Sequence, residues 1–317
     1  MRLYTLSQSL QAAIDAGSPQ RVLIEFYEKP DGTPYLDDND QPTVVAFSNE
    51  DILVSNGLQL TSEFNSETDL TIGLCPSAQI RFSMLNDEGQ LADFEFGKFK
   101  AWLGARLLSP IWGRGAHVKE YVEGGETVYY EFAPLGVFIA HRPDVVRKKI
   151  IDVDANDQMI LLDEELPTDV TITYPATLYN IAKFLCDTIS TETTTVSLKT
   201  NSWTNSTISV SAQPEQFTGA TMREILGWIA EAACANARFT RDGKLEFAWF
   251  NAVNKTYDEH SYTEFTPTWY ATKSINRLHI RNADQTDEIK WPAIAPQDEE
   301  NAYMIQDNPF IRVPESP

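Results

Sequence analysis

Cysteine, histidine and basic side chains are all scarce in this chain, and each shortage removes a class of protein. Three cysteines and four histidines serve 317 residues. Cys75, Cys186 and Cys234 are odd in number, far apart and without metal-ligand spacing, so they read as buried free thiols. Lysine and arginine total 25 against 46 acids, a net charge of −21. A nucleic-acid binder needs a basic footprint to displace counterions, and so does a protein docking on an anionic membrane. Neither class is expected. No stretch approaches the ~18 apolar residues of a membrane span, and the N-terminus has no apolar signal core. The expectation is a soluble chain made in the cytoplasm, with no membrane insertion.

Recognisable reaction chemistry is equally thin. His117, His141, His260 and His279 are scattered, and none pairs with another His or a Cys at ligand spacing. No serine sits in a Gly-x-Ser-x-Gly turn. Gly113-Arg114-Gly115 lacks the rest of a phosphate-loop fingerprint and reads as a loop. Asp152, Asp154 and Asn156 imitate the start of a calcium loop. Asp157 stands where that loop needs Gly, and Asp163 closes it instead of Glu, so a strand edge followed by a helical turn fits better. The tract Asp37-Asp38-Asn39-Asp40 also lacks a completing Glu and reads as a polar loop. With 46 acids, accidental carboxylate pairs are assured and carry no weight. The expectation is a non-enzyme: no catalytic residue, no cofactor-binding residue and no metal ligand is assigned.

What the chain does have is core-forming material. Hydrophobic residues make up 42% and aromatics 11%, which excludes disorder; the length suits two or three domains. The most ordered signal is Gly219–Phe250. Thr221 lies three residues before Glu224, the spacing of a capping box. Ile225, Leu226, Ile229, Ala232 and Ala233 then share one helix face, widened by Trp228, and the helix is expected to end near Asn236. Strands Ala237–Arg241 and Lys244–Phe250 flank Asp242-Gly243 as a hairpin. Thr177 to Cys186 repeats the pattern of Thr221 to Ala230 in register, so helices are expected over 177–190 and 221–236.

Taken from its start, the chain gives a short helix over 5–16, with Leu6, Leu10, Ala13 and Ile14 on one face, stopped by Gly17-Ser18-Pro19. Arg21–Glu28 alternates as a strand, with Val22, Ile24 and Phe26 pointing one way. Short strands with polar turns follow: Asp51–Val54, Leu58–Glu63, Gln79–Leu85, Leu91–Phe96, Phe99–Leu108, the hairpin Val118–Val122 with Thr127–Phe132, Val137–His141 and Arg147–Val153. That spacing suggests a twisted β-barrel or sandwich. Helices appear beyond Pro167. Thr191–Val210 reads as a loop or edge strands, and Asn276–Arg281 and Asp287–Trp291 return to β structure. The fold class is therefore α+β and β-rich. The expected division is 1–165, a barrel-like domain with a leading helix; 166–256, an α+β domain; and 257–317, closing strands and a tail.

Four stretches, in chain order, resemble the baseplate-hub or tail-tip proteins of tailed bacteriophages and prophages. They are Thr71–Phe82, with its small-residue turn before an alternating strand; Pro134-Leu135-Gly136-Val137-Phe138-Ile139; Ile151–Asp163; and Thr221–Trp249, a helix followed by Arg241-Asp242-Gly243-Lys244-Leu245. The resemblance implies two related β-barrels with helix-plus-hairpin insertions. It implies a homotrimeric ring in the virion tail, assembled in the host cytoplasm, meeting a tail-tube protein, a distal tail protein and a central spike or fibre. DNA would pass without specific binding, and the acid surplus would either line that lumen or serve solubility. Two other classes stay open. A carbohydrate-binding module would use exposed aromatics such as Trp102, Trp112, Trp249 and Trp269, and a cell-wall hydrolase would use two facing carboxylates.

Overall fold

The computed structural model describes residues 6–53, 57–62, 71–87, 89–109, 117–143, 149–168, 171–249, 275–281, 288–294 and 301–311. Ten strands occupy the first half: β1 (Gln20–Glu28), β2 (Tyr35–Leu36), β3 (Pro42–Thr43), β4 (Val45–Ser48), β5 (Gln59–Thr61), β6 (Gln79–Leu85), β7 (Lys98–Arg106), β8 (Val118–Glu123), β9 (Glu126–Ala140) and β10 (Ile150–Asp157). All but the β2–β3 pair join one antiparallel sheet in the order β4-β1-β7-β9-β10-β6-β5, with β8 also on β9. Period-two alternation puts Ile24, Phe26, Phe99, Phe138, Val153, Ile80 and Phe82 on one buried face. The sheet curls around these rings: Phe99 lies 4.9 Å from Phe26, 5.8 Å from Phe138 and 5.8 Å from Phe82, centroid to centroid. Aromatic pairs at such separations add about 0.5–1.5 kcal/mol each beyond their buried area.

Closure stops short of a barrel. The end strands β4 and β5 are not paired with each other, and the turn after β4 reaches β6 through one bridge, Ile52 to Met84. The described residues thus form an open, curled sheet where a barrel-like domain was expected. The expected strand Leu91–Phe96 is a turn-rich loop instead. Its backbone bonds are local, Ala92 N–H to Gly89 and Phe94 N–H to Leu91, while Phe94 and Phe96 pack edge-on against Phe26. Burial without a ladder is what the apolar pattern alone cannot reveal. The expected breaks around Pro134 vanish into one 15-residue strand. Ala101 faces Gly136 and Trp102 faces Pro134, so Leu135 is an extra residue, a bulge that accommodates a proline with no N–H to give.

The leading helix α1 (Gln8–Asp15) is capped by Ser7, whose hydroxyl accepts from Leu10 N–H at 3.0 Å. Leu10 and Ala13 pack on Ala105 and Ala133, but Ile14, expected on that face, is 38% exposed.

Beyond β10 a 3-10 turn (Gln158–Asp163) leads into a helical layer. It comprises β11 (Ala176–Thr177), α2 (Leu178–Thr188), β12 (Ser209–Val210), α3 (Met222–Ala232), β13 (Asn236–Phe239) and β14 (Leu245–Ala248). The repeated pattern becomes two 11-residue helices with Thr caps. The matched pairs Leu178/Met222, Ile181/Ile225, Ala182/Leu226, Leu185/Ile229 and Cys186/Ala230 are all buried in a common core. Each fully buried Leu or Ile there contributes about 1.5–3 kcal/mol. The α3 end differs from the expectation. Cys234, at φ 53°, takes the left-handed position, and Asn236 opens β13 instead. Its side-chain oxygen is needed elsewhere, as acceptor for Leu74 N–H at 3.0 Å.

The last described strands are β15 (Arg277–Arg281), β16 (Glu288–Trp291) and β17 (Ala302–Gln306), in the order β16-β15-β17. The expected strands at 276–281 and 287–291 match β15 and β16, while β17, parallel to β15, was not anticipated. No closed barrel forms among the described residues.

Candidate functional site: the junction of sheet and helical layer

Buried polar side chains with hydrogen-bond or ion-pair partners concentrate where the curled sheet meets the helical layer. Asp157, at the end of β10, is 5% exposed. One oxygen accepts from Ser77 Oγ at 2.8 Å and Met159 N–H at 3.1 Å, and the other accepts from Ala78 N–H at 3.0 Å. Burial pushes its pKa up, and the bonds from Ala78, Ser77 and Met159 oppose that rise without cancelling it. This is the strand-then-helical-turn arrangement read from 152–163. The next residue, Gln158, donates from Nε2 to the Gly243 carbonyl at 2.9 Å and ties the β13–β14 turn to the sheet.

A second tie is made by backbone alone. Gly73 N–H donates to Ala235 at 2.9 Å, and Ala237 N–H donates to Leu74 at 2.9 Å. The segment crosses α3 directly over Gly227. A Cβ on Gly73 would stand 2.9 Å from Glu231 Cβ and 3.1 Å from the Gly227 carbonyl, and Gly73 has φ 85°. Only glycine meets both demands. Tyr303 of β17 closes the same crossing: its hydroxyl accepts from Ile72 N–H and donates to Ile72 C=O, both at 3.1 Å. Asn308 donates to Trp228 C=O at 2.9 Å and to Glu231 at 2.8 Å. Burial raises the Glu231 pKa, and the Asn308 bond offsets part of the rise.

The third tie is ionic. Glu28, at the end of β1, and Lys98, at the start of β7, are each 4% exposed in their side chains and stand 2.9 Å apart. The other Glu28 oxygen accepts from Thr191 at 2.9 Å, from Thr194 at 2.7 Å and from Thr193. Burial alone would raise the Glu28 pKa. Hydrogen bonds from Thr193, Thr194 and Lys98 outweigh it and hold the carboxyl below its usual range. The Thr-dense stretch read as loop or edge strands is therefore a bracket around one carboxylate. Arg223 of α3 adds a two-point pair with Asp163, at 2.7 and 3.0 Å.

Among the described residues, the others singled out in the sequence do not gather into a reaction centre. His117 stacks on Trp102, with centroids 4.1 Å apart and planes 6° apart, and burial lowers its pKa against the pull of Glu25. His141 meets Asn156 Oδ1 at 2.7 Å, and His279 lies 3.1 Å from Glu288. These belong to three separate networks. Arg21 is held over the Tyr121 ring at 4.2 Å and by Glu50 and Glu123 at 3.1 and 3.2 Å. Trp102 presents one face to His117, and Trp249 lines a cleft beside α3. Cys186 is buried and Cys75 partly so, but Cys234 is exposed, against the expectation of three buried thiols. His260, Trp112, Trp269 and Gly113–Gly115 lie outside the described residues.

No family model matches this chain, and no curated protein matches it. Two solved structures are similar in part. One is the 43 kDa tail protein of prophage MuSo2 from Shewanella oneidensis, at 12% identity and TM-score 0.39, covering 91% of this chain and 72% of that one. The other is the tail protein from Neisseria meningitidis MC58, at 12% identity and TM-score 0.41, covering 75% of this chain and 66% of that one. At such identities, and with TM-scores below 0.5, these likenesses assign no role to any residue.

Proposed function

We propose that this chain is a structural protein of a phage or prophage tail, at the tail tip or baseplate hub. One observation carries the reading. The four stretches that resemble that family, Thr71–Phe82, Pro134–Ile139, Ile151–Asp163 and Thr221–Trp249, are far apart in sequence but meet at the junction just described. Gly73 crosses α3, Asp157 binds Ser77 and Ala78, and Gln158 binds Gly243, where an added Cβ would stand 2.8 Å from Val137 Cγ2. Residues that resemble a family and also form one contiguous support point to a shared architecture more strongly than four isolated matches.

The role is mechanical on this reading. Three copies form a ring between the tail-tube protein and a central spike or fibre, with a distal tail protein beside it, in the assembled virion tail. The surplus of acid lines the passage, so that DNA slides without adhering. Antibody labelling of intact tailed particles tests the placement. Label at the distal end of the tail supports it, and label confined to the head or absent from particles overturns it. A neutral or basic wall on the assembled ring's channel ends the lumen idea alone.

A further inference from the structure

A chain of hydrogen bonds runs from the surface to Asp157. His141, exposed just past β9, has its Nε2 2.7 Å from Asn156 Oδ1. Asn156 Nδ2 donates to Ser77 Oγ at 3.3 Å, and Ser77 Oγ donates to Asp157 Oδ1 at 2.8 Å. An ionised carboxylate only accepts, so the buried end fixes every direction. Ser77 must give its hydroxyl hydrogen to Asp157, Asn156 must turn its NH2 to Ser77, and His141 must carry hydrogen on Nε2.

Protonating Asp157 upsets this order, because the carboxyl then has a hydrogen of its own to place. Oδ2 is met by Ala78 N–H at 3.0 Å and Oδ1 by Met159 N–H at 3.1 Å, and neither backbone donor can turn away. The Ser77 hydroxyl can. The Ala78 carbonyl lies 3.4 Å from Ser77 Oγ, and Asp157 N–H, at 2.8 Å, takes only one of its two lone pairs. Swung to that carbonyl, Ser77 keeps two lone pairs, one for the Asp157 O–H and one for Asn156 Nδ2. Each of these donors and acceptors is then satisfied again with no heavy atom displaced. Burial favours the proton on Asp157, while Arg223 of α3, paired with Asp163, opposes it from the helical layer. Cys75, which also feels Arg223, stays a neutral thiol because burial pushes it up to about 12.

We propose that Ser77 is a two-position hydroxyl that keeps the junction of sheet and helical layer intact whether Asp157 is ionised or protonated. The device needs only the junction, whatever becomes of the tail assignment. Carboxyl 13C NMR of the intact chain follows the Asp157 midpoint, and hydrogen exchange follows the Ala78 and Met159 amides. Wild type is expected to titrate while folded, with both amides protected on either side of the midpoint. If Ser77 were a donor alone, Ser77→Ala would raise the midpoint by about 1–2 pH units, since the lost bond went to the charged form. A hydroxyl that serves both forms is lost to both, so the midpoint is expected to move by no more than about 0.5 unit; the Asn156 bond, present in both, cancels. A larger shift overturns the proposal. So does loss of amide protection on the acid side in wild type, or a carboxyl that stays ionised until the chain unfolds.

Discussion

At the residue scale, Glu28 shows how much one side chain can hold. It neutralises buried Lys98 at 2.9 Å and accepts from three threonines. Glu28→Ala strands a buried cation and three hydroxyls, so a loss of about 3–5 kcal/mol is expected by urea denaturation. Replacing both members of the pair by apolar residues of similar volume is expected to recover much of it, since the pair's own desolvation also disappears. The pH dependence has a definite sign. A carboxyl whose folded pKa lies below its unfolded value stabilises above the unfolded value, near 4.5, and loses that contribution as pH falls through the folded value. The gap between wild type and Glu28→Gln should therefore be widest near neutrality and close below about pH 4.5. Asp157 and Glu231 have the opposite sign: their raised pKa values make the ionised forms a cost at neutral pH that acid relieves. Thiol reactivity is the other residue-scale test. Burial pushes the Cys75 and Cys186 thiols up to about 12, while Cys234 is exposed. Mass spectrometry after brief alkylation at pH 8 should find the label on Cys234 alone.

Helices and hairpins answer to shorter-range rules, and those rules are the ones a sequence displays. Thr221 and Glu224 form a full capping box, with Glu224 N–H donating to Thr221 Oγ1 and Thr221 N–H donating to the Glu224 carboxylate. Thr177 caps α2 with a single bond to Asn180 N–H. Thr221→Ala should cost about 1–2 kcal/mol and Thr177→Ala about 0.5–1 kcal/mol, compared by their denaturation midpoints. Both helices, the β8–β9 hairpin, the Asp242-Gly243 turn and the strand over 79–85 were legible, because caps, turn residues and apolar period are all local. The loop over 91–96 was not, since period two reports a buried face and not whether a ladder partner lies alongside. Strand β17 was missed because its parallel partner comes from more than twenty residues earlier. The contacts that tie the junction together had no local signal, although stretches that form it were singled out. Glu28 meets residues 163 to 166 positions away, and Gly73 meets α3 through the lack of a side chain. Glycine at a crossing looks in sequence like glycine in any turn.

At the scale of the whole molecule, the described residues hold two large apolar cores, one inside the curled sheet and one between α2, α3 and the β13–β14 hairpin. Neither element chemistry nor composition says whether they melt together. What couples them is the junction: the Gly73 crossing, the Asp157 and Gln158 bonds, and the Glu28 bracket. Met159 and Leu162, just past the sheet's last strand, lie in the helical core and carry the sheet's end into it. Coupling free energy shared across such a seam produces one cooperative transition when it exceeds the stability difference between the halves. The intact chain is therefore expected to give a single calorimetric endotherm with matching calorimetric and van't Hoff enthalpies. Gly73→Ala forces a Cβ against Glu231 at a positive φ, and with Glu28→Gln it weakens two independent ties at once. That double variant should split the endotherm in two while far-ultraviolet circular dichroism before melting stays close to wild type. A single transition merely shifted downward would mean that the two cores are held together by contacts other than these, and that a mechanical role does not depend on this seam.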